Sequence, residues 1–212
     1  MQILAVSTSC AVATAALIRD GACVLELAAD TDKRHAESIL PLIDALLTRC
    51  GQTLSDMDLL AVDIGPGSFT GVRIGVSTIN AMALAAELPV VPVDALQIVC
   101  EAASGTSGPV CALLDARNGN GYAALYEGDK AIRPPDAVVT AEYLASLPGG
   151  TALLGDIDAP DCAHTVPTAR LAGLAAYRLH IPGVKAAAPL YLRPSQAERM
   201  WKLRKEAEQR GV

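Results

Sequence analysis

The chain has 212 residues, 51% of them hydrophobic and 19% charged, with a formal net charge of −6. That length suits one large domain or two small lobes hiding roughly 70% of the unfolded surface, and the acidic balance argues against a protein that grips nucleic acid alone through surplus Lys and Arg. No apolar run approaches the ~20 residues of a bilayer span and MQILAVSTS lacks the basic start of a secretory signal, so a cytoplasmic protein without membrane contact is expected.

Six cysteines without a CxxC pair read as buried, reduced thiols, with no metal implied. Alanine and valine supply much of the apolar content while aromatics make up 3%, which suits helices packed closely on a sheet.

In chain order, Ile3 to Val6, Ala11 to Ile18 and Ala22 to Ala29 read as strands, the last two joined by the hairpin pair Asp20-Gly21. A helix follows, starting near Glu37 or Ser38 so that Pro41 falls in its first turn, and stopping at Gly51. LLAVDI is a buried strand, Thr70 to Glu87 a long helix, and VVPVD a strand before a short helix from Ala95. This order predicts a mixed sheet with helices on it.

The stretch Ser104 to Pro109 reads as a boundary between units 1–103 and 104–212. The second unit opens with VCALLDA, a turn at RNGN and GYAALYE, repeating the layout of the first, so two related halves are a reading the sequence holds open. A helix near Thr140 to Leu147, a strand at TALLG and a helix near Thr168 to His180 complete it, and the tail is locally basic through Arg193, Arg199, Lys202, Arg204, Lys205 and Arg210. A solvated terminal helix and contact with RNA or an acidic partner both fit that tail.

The loop DIGPGSFTGVRIG, Asp63 to Gly75, misses the phosphate-binding GxxxxGK[ST] pattern because Val72 and Arg73 follow Gly71, and it misses GxGxxG because its third glycine comes one residue late. Anion contact at the helix N-terminus and a tightly packed structural turn both remain open for it. The helix it launches has one stripe of Val72, Val76, Ile79 and Ala83 for the sheet, and a face of Gly71, Gly75, Thr78, Met82 and Ala85. The preceding helix carries a wide apolar arc that includes Ile39, Leu42, Ile43 and Leu46. Either the two helices pack only on each other, or their outer surface meets a partner. In the second case Gly75→Glu is expected to abolish pairing while the monomer stays folded.

Chemistry is thinly signalled. His35, His164 and His180 form no HxxxH or HExxH pair. Asp63, Asp94 and Asp115 each end a strand, where a carboxylate can hold a metal-bound nucleotide but commonly caps a turn. No catalytic residue, cofactor or metal ligand is assigned.

RHAESILPLIDALL, DLLAVDIGPGSFTGVRIG, LLDARNGNGYAALY and PLYLRP with Trp201-Lys202, in order and across nearly the whole chain, resemble the bacterial TsaB (YeaZ) family. The resemblance implies an α/β fold of two ribonuclease-H-like lobes of the actin-like ATPase superfamily, with mixed sheets flanked by helices. It implies a non-catalytic partner of the paralogue TsaD, working with the ATPase TsaE to place threonylcarbamoyl on the adenosine beside the tRNA anticodon, and touching tRNA only through the complex. It also implies pairing through the two N-terminal helices, with a homodimer on the same surface when TsaD is absent. An autonomous nucleotide-dependent enzyme of the same superfamily is the competing reading, and the glycoprotease label attached to relatives needs a metal site that the sequence does not supply.

Two departures stand out. Ser7-Thr8-Ser9 replaces the superfamily's DTS, whose aspartate helps hold nucleotide-bound magnesium, so Ser7, Thr8, Gly65, Gly67 and Ser68 read as a vestigial nucleotide-type loop. Asn118 to Gly121 stands where the family tends to have a Gly-Glu-Val run, and His35-Ala36-Glu37 replaces the commoner HSE.

Overall fold

The computed structural model describes residues 1–29, 35–194, 201 and 205; Arg199, Lys202, Arg204 and Arg210 of the basic tail lie outside them. Strands β1 (Gln2–Ser7), β2 (Thr14–Arg19) and β3 (Ala22–Ala28) form a meander. Asp20 and Gly21 both take positive φ, 49° and 78°, as a two-residue hairpin matching strand twist requires. Helix α1 (His35–Cys50), β4 (Leu59–Asp63), α2 (Phe69–Ala86), β5 (Val90–Val93) and α3 (Ala95–Glu101) follow.

The second half runs β6 (Pro109–Asp115), β7 (Asn120–Glu127), β8 (Lys130–Val139), α4 (Thr140–Ala145), β9 (Ala152–Gly155), β10 (Cys162–His164) and α5 (Ala169–Arg178). The sheets have strand orders β3-β2-β1-β4-β5 and β8-β7-β6-β9-β10. In each, the first three strands are antiparallel and the last two run parallel to the first. The same layout twice gives two ribonuclease-H-like mixed sheets with flanking helices.

Strand β1 is apolar and buried on both faces because both are covered. Leu4 and Val6 join α1 and α2 in one core with Ile39, Leu46, Val76 and Ile79. Ile3 and Ala5 face the other way, into Ala172 and Ala175 of α5. An ideal Cβ on Gly173 would stand 2.5 Å from Ile18 Cγ1, so α5 lies close on the sheet. Each fully buried Leu or Ile contributes about 1.5–3 kcal/mol.

Two expectations need correction. Helix α1 begins at His35, so Pro41 stands beyond its first turn. Pro41 is on the exposed side, where a carbonyl deprived of its donor is within reach of water. The halves also exchange helices. Helix α3 packs on the second sheet, Leu96 and Val99 against Ala112 and Leu114, and α5 packs on the first. Arg178 of α5 clasps Glu101 at the end of α3 through bonds of 2.8, 3.0 and 3.1 Å, and also meets Asp129. A cut at 103/104 falls in irregular chain but leaves neither core complete.

Helix α2 is long and apolar enough for a membrane span by length and composition alone. Its apolarity has a local cause, since Val72, Val76, Ile79 and Ala83 are all buried on the sheet.

Candidate functional site

Between the two sheets lies a cleft of about 730 Å³, walled by Ser9, Cys10, His35, Gly67, Ser68 and Thr168 on one side and by Asp115, Arg117, Tyr122 and Asp156 on the other. Beneath it, at the C-terminal end of β4, Asp63 is fully buried. Oδ2 of Asp63 accepts from the hydroxyls of Ser7 at 2.7 Å and Ser9 at 2.5 Å, and Oδ1 accepts from the amide of Gly65 at 2.8 Å. Burial raises the Asp63 carboxyl above its ordinary range, against the pull of those donors. Its oxygens are occupied by the protein's own donors rather than turned to a ligand.

The glycine loop is partly committed to the chain's own contacts. The amide of Ser68 donates to the Ser9 carbonyl at 2.7 Å, that of Val72 to the Ser68 carbonyl at 2.8 Å, and that of Gly71 to Ser68 Oγ at 3.2 Å. Thr8 Oγ1 donates to the Gly71 carbonyl at 2.7 Å. An ideal Cβ on Gly67 would stand 2.6 Å from the Ser9 carbonyl, and one on Gly71 or Gly75 would land on the Thr8 carbonyl or hydroxyl oxygen. These glycines let α2 press onto residues 8–9.

That geometry corrects the residues expected to meet a partner. Gly71 and Gly75 are buried against Thr8, while Ile39, Leu42, Ile43 and Leu46 are buried in the chain's own core. The wide arc on α1 is therefore spent on β2, β3 and α2. Of the residues named from sequence, Thr78 and Met82 are half-buried and Ala85 is exposed. Leu84, which belongs to neither expected face of α2, is 82% exposed, and Leu40 of α1 is 57% exposed.

The strand-end carboxylates act as turn and cap groups. Asp94 accepts from the amides of Leu96 and Gln97 at 3.1 and 2.9 Å as N-cap of α3, and burial still raises it to about 6. Asp115 accepts from the amide of Arg117 at 2.8 Å, and its own amide donates to Asp156 at 2.7 Å. His35 Nε2 donates to the Cys10 carbonyl at 2.8 Å. Burial pushes the Cys10 thiol up to about 12, which leaves it a poor nucleophile. Among the described residues, no group of three His, Cys, Asp or Glu is placed to hold a metal ion.

A family model described as "TsaD: tRNA N6-adenosine threonylcarbamoyltransferase" matches residues 27–199. The chain is 40% identical over 134 residues to an Escherichia coli protein named tRNA threonylcarbamoyladenosine biosynthesis protein TsaB, covering 61% of this chain and 57% of that one. It is 30% identical over 151 residues to a Bacillus subtilis protein of the same name, covering 69% and 66%. The chain thus spans somewhat more than half the length of these curated relatives. Among solved structures, one described as YeaZ from Pseudomonas aeruginosa superposes with a TM-score of 0.75 at 26% identity, covering 90% of this chain and 99% of that one.

Proposed function

The chain belongs to the TsaB (YeaZ) family, within the group that the TsaD model describes, and from that premise we propose that it is a cytoplasmic, non-catalytic partner subunit. Its complex contains TsaD and installs threonylcarbamoyl on the adenosine beside the tRNA anticodon, with TsaE as a further member. The observation that carries the non-catalytic part is the cleft floor: a serine hydroxyl occupies the place of the superfamily's metal-holding aspartate, and it is spent on Asp63.

The pairing face in this proposal is the exposed surface of α1 and α2, formed by Leu40, Thr78, Met82, Leu84 and Ala85. Exposed Leu84 and Leu40 on two mutually packed helices support it, since large apolar side chains gain most from a second surface. The same face serves a homodimer when TsaD is absent. Co-purification of the two proteins from cells expressing both tests the reading; a chain that never retains TsaD at micromolar concentration contradicts it.

A second reading rests on the size of the cleft, whose volume of about 730 Å³ falls in the range of small-molecule sites. It makes the chain an autonomous nucleotide-dependent enzyme. Calorimetric titration with Mg-ATP separates the two, because the partner reading predicts no heat of binding and the enzyme reading requires it.

A further inference from the structure

Aromatic side chains are scarce in this protein, one Phe, one Trp and five Tyr in 212 residues, and four of the seven gather on one side of it. Phe69, Tyr191 and Trp201 line a shallow pocket together with Arg73 and Arg193. The Phe69 and Tyr191 rings stack with centroids 4.6 Å apart and planes 29° from parallel. The Arg73 guanidinium lies 3.9 Å from the Phe69 centroid, and its Nε donates to the Tyr191 hydroxyl at 2.8 Å. Arg193 continues the strip, 6.0 Å from the centroid of the Tyr122 ring, with its Nη2 donating to Asn120 Oδ1 at 2.9 Å. Lys205 sits 4.3 Å from the Trp201 ring.

A hydrophobic core would bury these rings, yet Tyr191 is 42% and Trp201 56% exposed. The charges beside them are not neutralised by ion pairs among the described residues. Arg170 and Arg178 are ion-paired with Glu26, Glu101 and Asp129, whereas among the described residues Arg73, Arg193 and Lys205 have no carboxylate within ion-pair distance. On a chain of net charge −6, this is a local cationic strip with flat apolar faces. Phe69 and Arg73 fix Tyr191 from one side, so its ring is already oriented before anything binds.

We propose that this strip binds single-stranded RNA, with unpaired bases stacking on Tyr191 and Trp201 and the intervening phosphates meeting Arg73 and Arg193. Exposed planar faces beside guanidinium groups are what splayed bases need, and a duplex keeps its base faces inside its own stack. RNA rather than another single strand rests on the function proposed above.

The test titrates the full chain with a mixed-sequence 12-nucleotide single-stranded RNA in 50 mM salt, read by anisotropy of a labelled end and by the fluorescence of Trp201, the sole tryptophan. Saturable binding with quenching of Trp201 is expected, at least tenfold tighter than for a duplex of the same length. Tyr191→Ala should weaken it about tenfold and Tyr191→Phe restore it, while Arg73→Gln should reduce the slope of log affinity against log salt by about 0.7. Absence of saturable binding, equal binding of duplex, or unchanged binding by a folded Tyr191→Ala variant overturns the proposal. An acidic 12-residue peptide that binds as tightly and quenches Trp201 also overturns it, in favour of an acidic protein partner. Failure on RNA with TsaD co-purification intact removes the strip's role and leaves the partner function standing.

Discussion

The hydroxyl of Ser7, at the end of β1, donates at 2.7 Å to the carboxyl of Asp63, at the end of the neighbouring parallel strand β4. An aspartate at position 7 would set a second carboxyl against the first with no water between them, and two such groups cannot both ionise cheaply. Ser7→Asp is therefore expected to destabilise the fold by about 2–4 kcal/mol at pH 8 and by less at pH 5, where the pair can retain a proton. Urea unfolding at the two pH values reads this. Equal losses at both would show that Asp63 does not govern position 7.

Asp94 offers a cleaner pH signature. Its folded value of about 6 lies above the ordinary 3.8, with burial as the leading cause. A carboxyl raised in this way contributes stability that is fully present below 3.8 and is lost as pH climbs through the folded value. Asp94→Asn preserves the N-cap of α3 without the charge. Wild type and variant should match near pH 4, and the variant should be ahead by on the order of 3 kcal/mol at pH 8. A pH-independent difference would count against a raised Asp94.

Gly71 and Gly75 are expected to tolerate no side chain, because the Thr8 oxygens occupy the Cβ positions. Gly71→Ala and Gly75→Ala should each cost about 1–3 kcal/mol or more from overpacking, and Gly75→Glu should fail to fold rather than yield a folded, unpaired monomer. Gly149, with nothing within 4 Å of its would-be Cβ, is the control. Thermal melts that leave Gly75→Ala level with Gly149→Ala would contradict this packing.

Much of this architecture was legible in the sequence. Asp20-Gly21 announced its hairpin, the Val72, Val76, Ile79, Ala83 stripe announced the buried side of α2, and glycine spacing announced a close approach. What approached was not legible. Periodicity gives the face of a helix but not its neighbour, so Gly71 and Gly75 looked free when Thr8 already filled them. The return of α5 to the first sheet depends on contacts such as Ala169 N to Thr14 Oγ1, 155 residues apart, which no local pattern encodes. Strand β10 has three residues, too short for an alternating signature. The aromatic strip was hidden for the same reason, since Phe69, Tyr122 and Tyr191 are solitary in sequence and adjacent only once folded.

On the outer face of α2, Leu84 is free of the core, so replacing it leaves the monomer's packing untouched. Leu84→Glu is expected to retain wild-type circular dichroism and melting temperature while weakening association with TsaD at least tenfold, in line with loss of an interface anchor. Light scattering and co-purification measure it. Undiminished pairing would move the partner surface elsewhere.

The most direct measurement of the partner role is nucleoside analysis of bulk tRNA by mass spectrometry after depletion of this protein in its own cells. The proposed role predicts a fall in threonylcarbamoyladenosine that is restored by the wild-type chain and not by Leu84→Glu. Threonylcarbamoyladenosine at undepleted levels, in cells from which the protein has been removed, would contradict it.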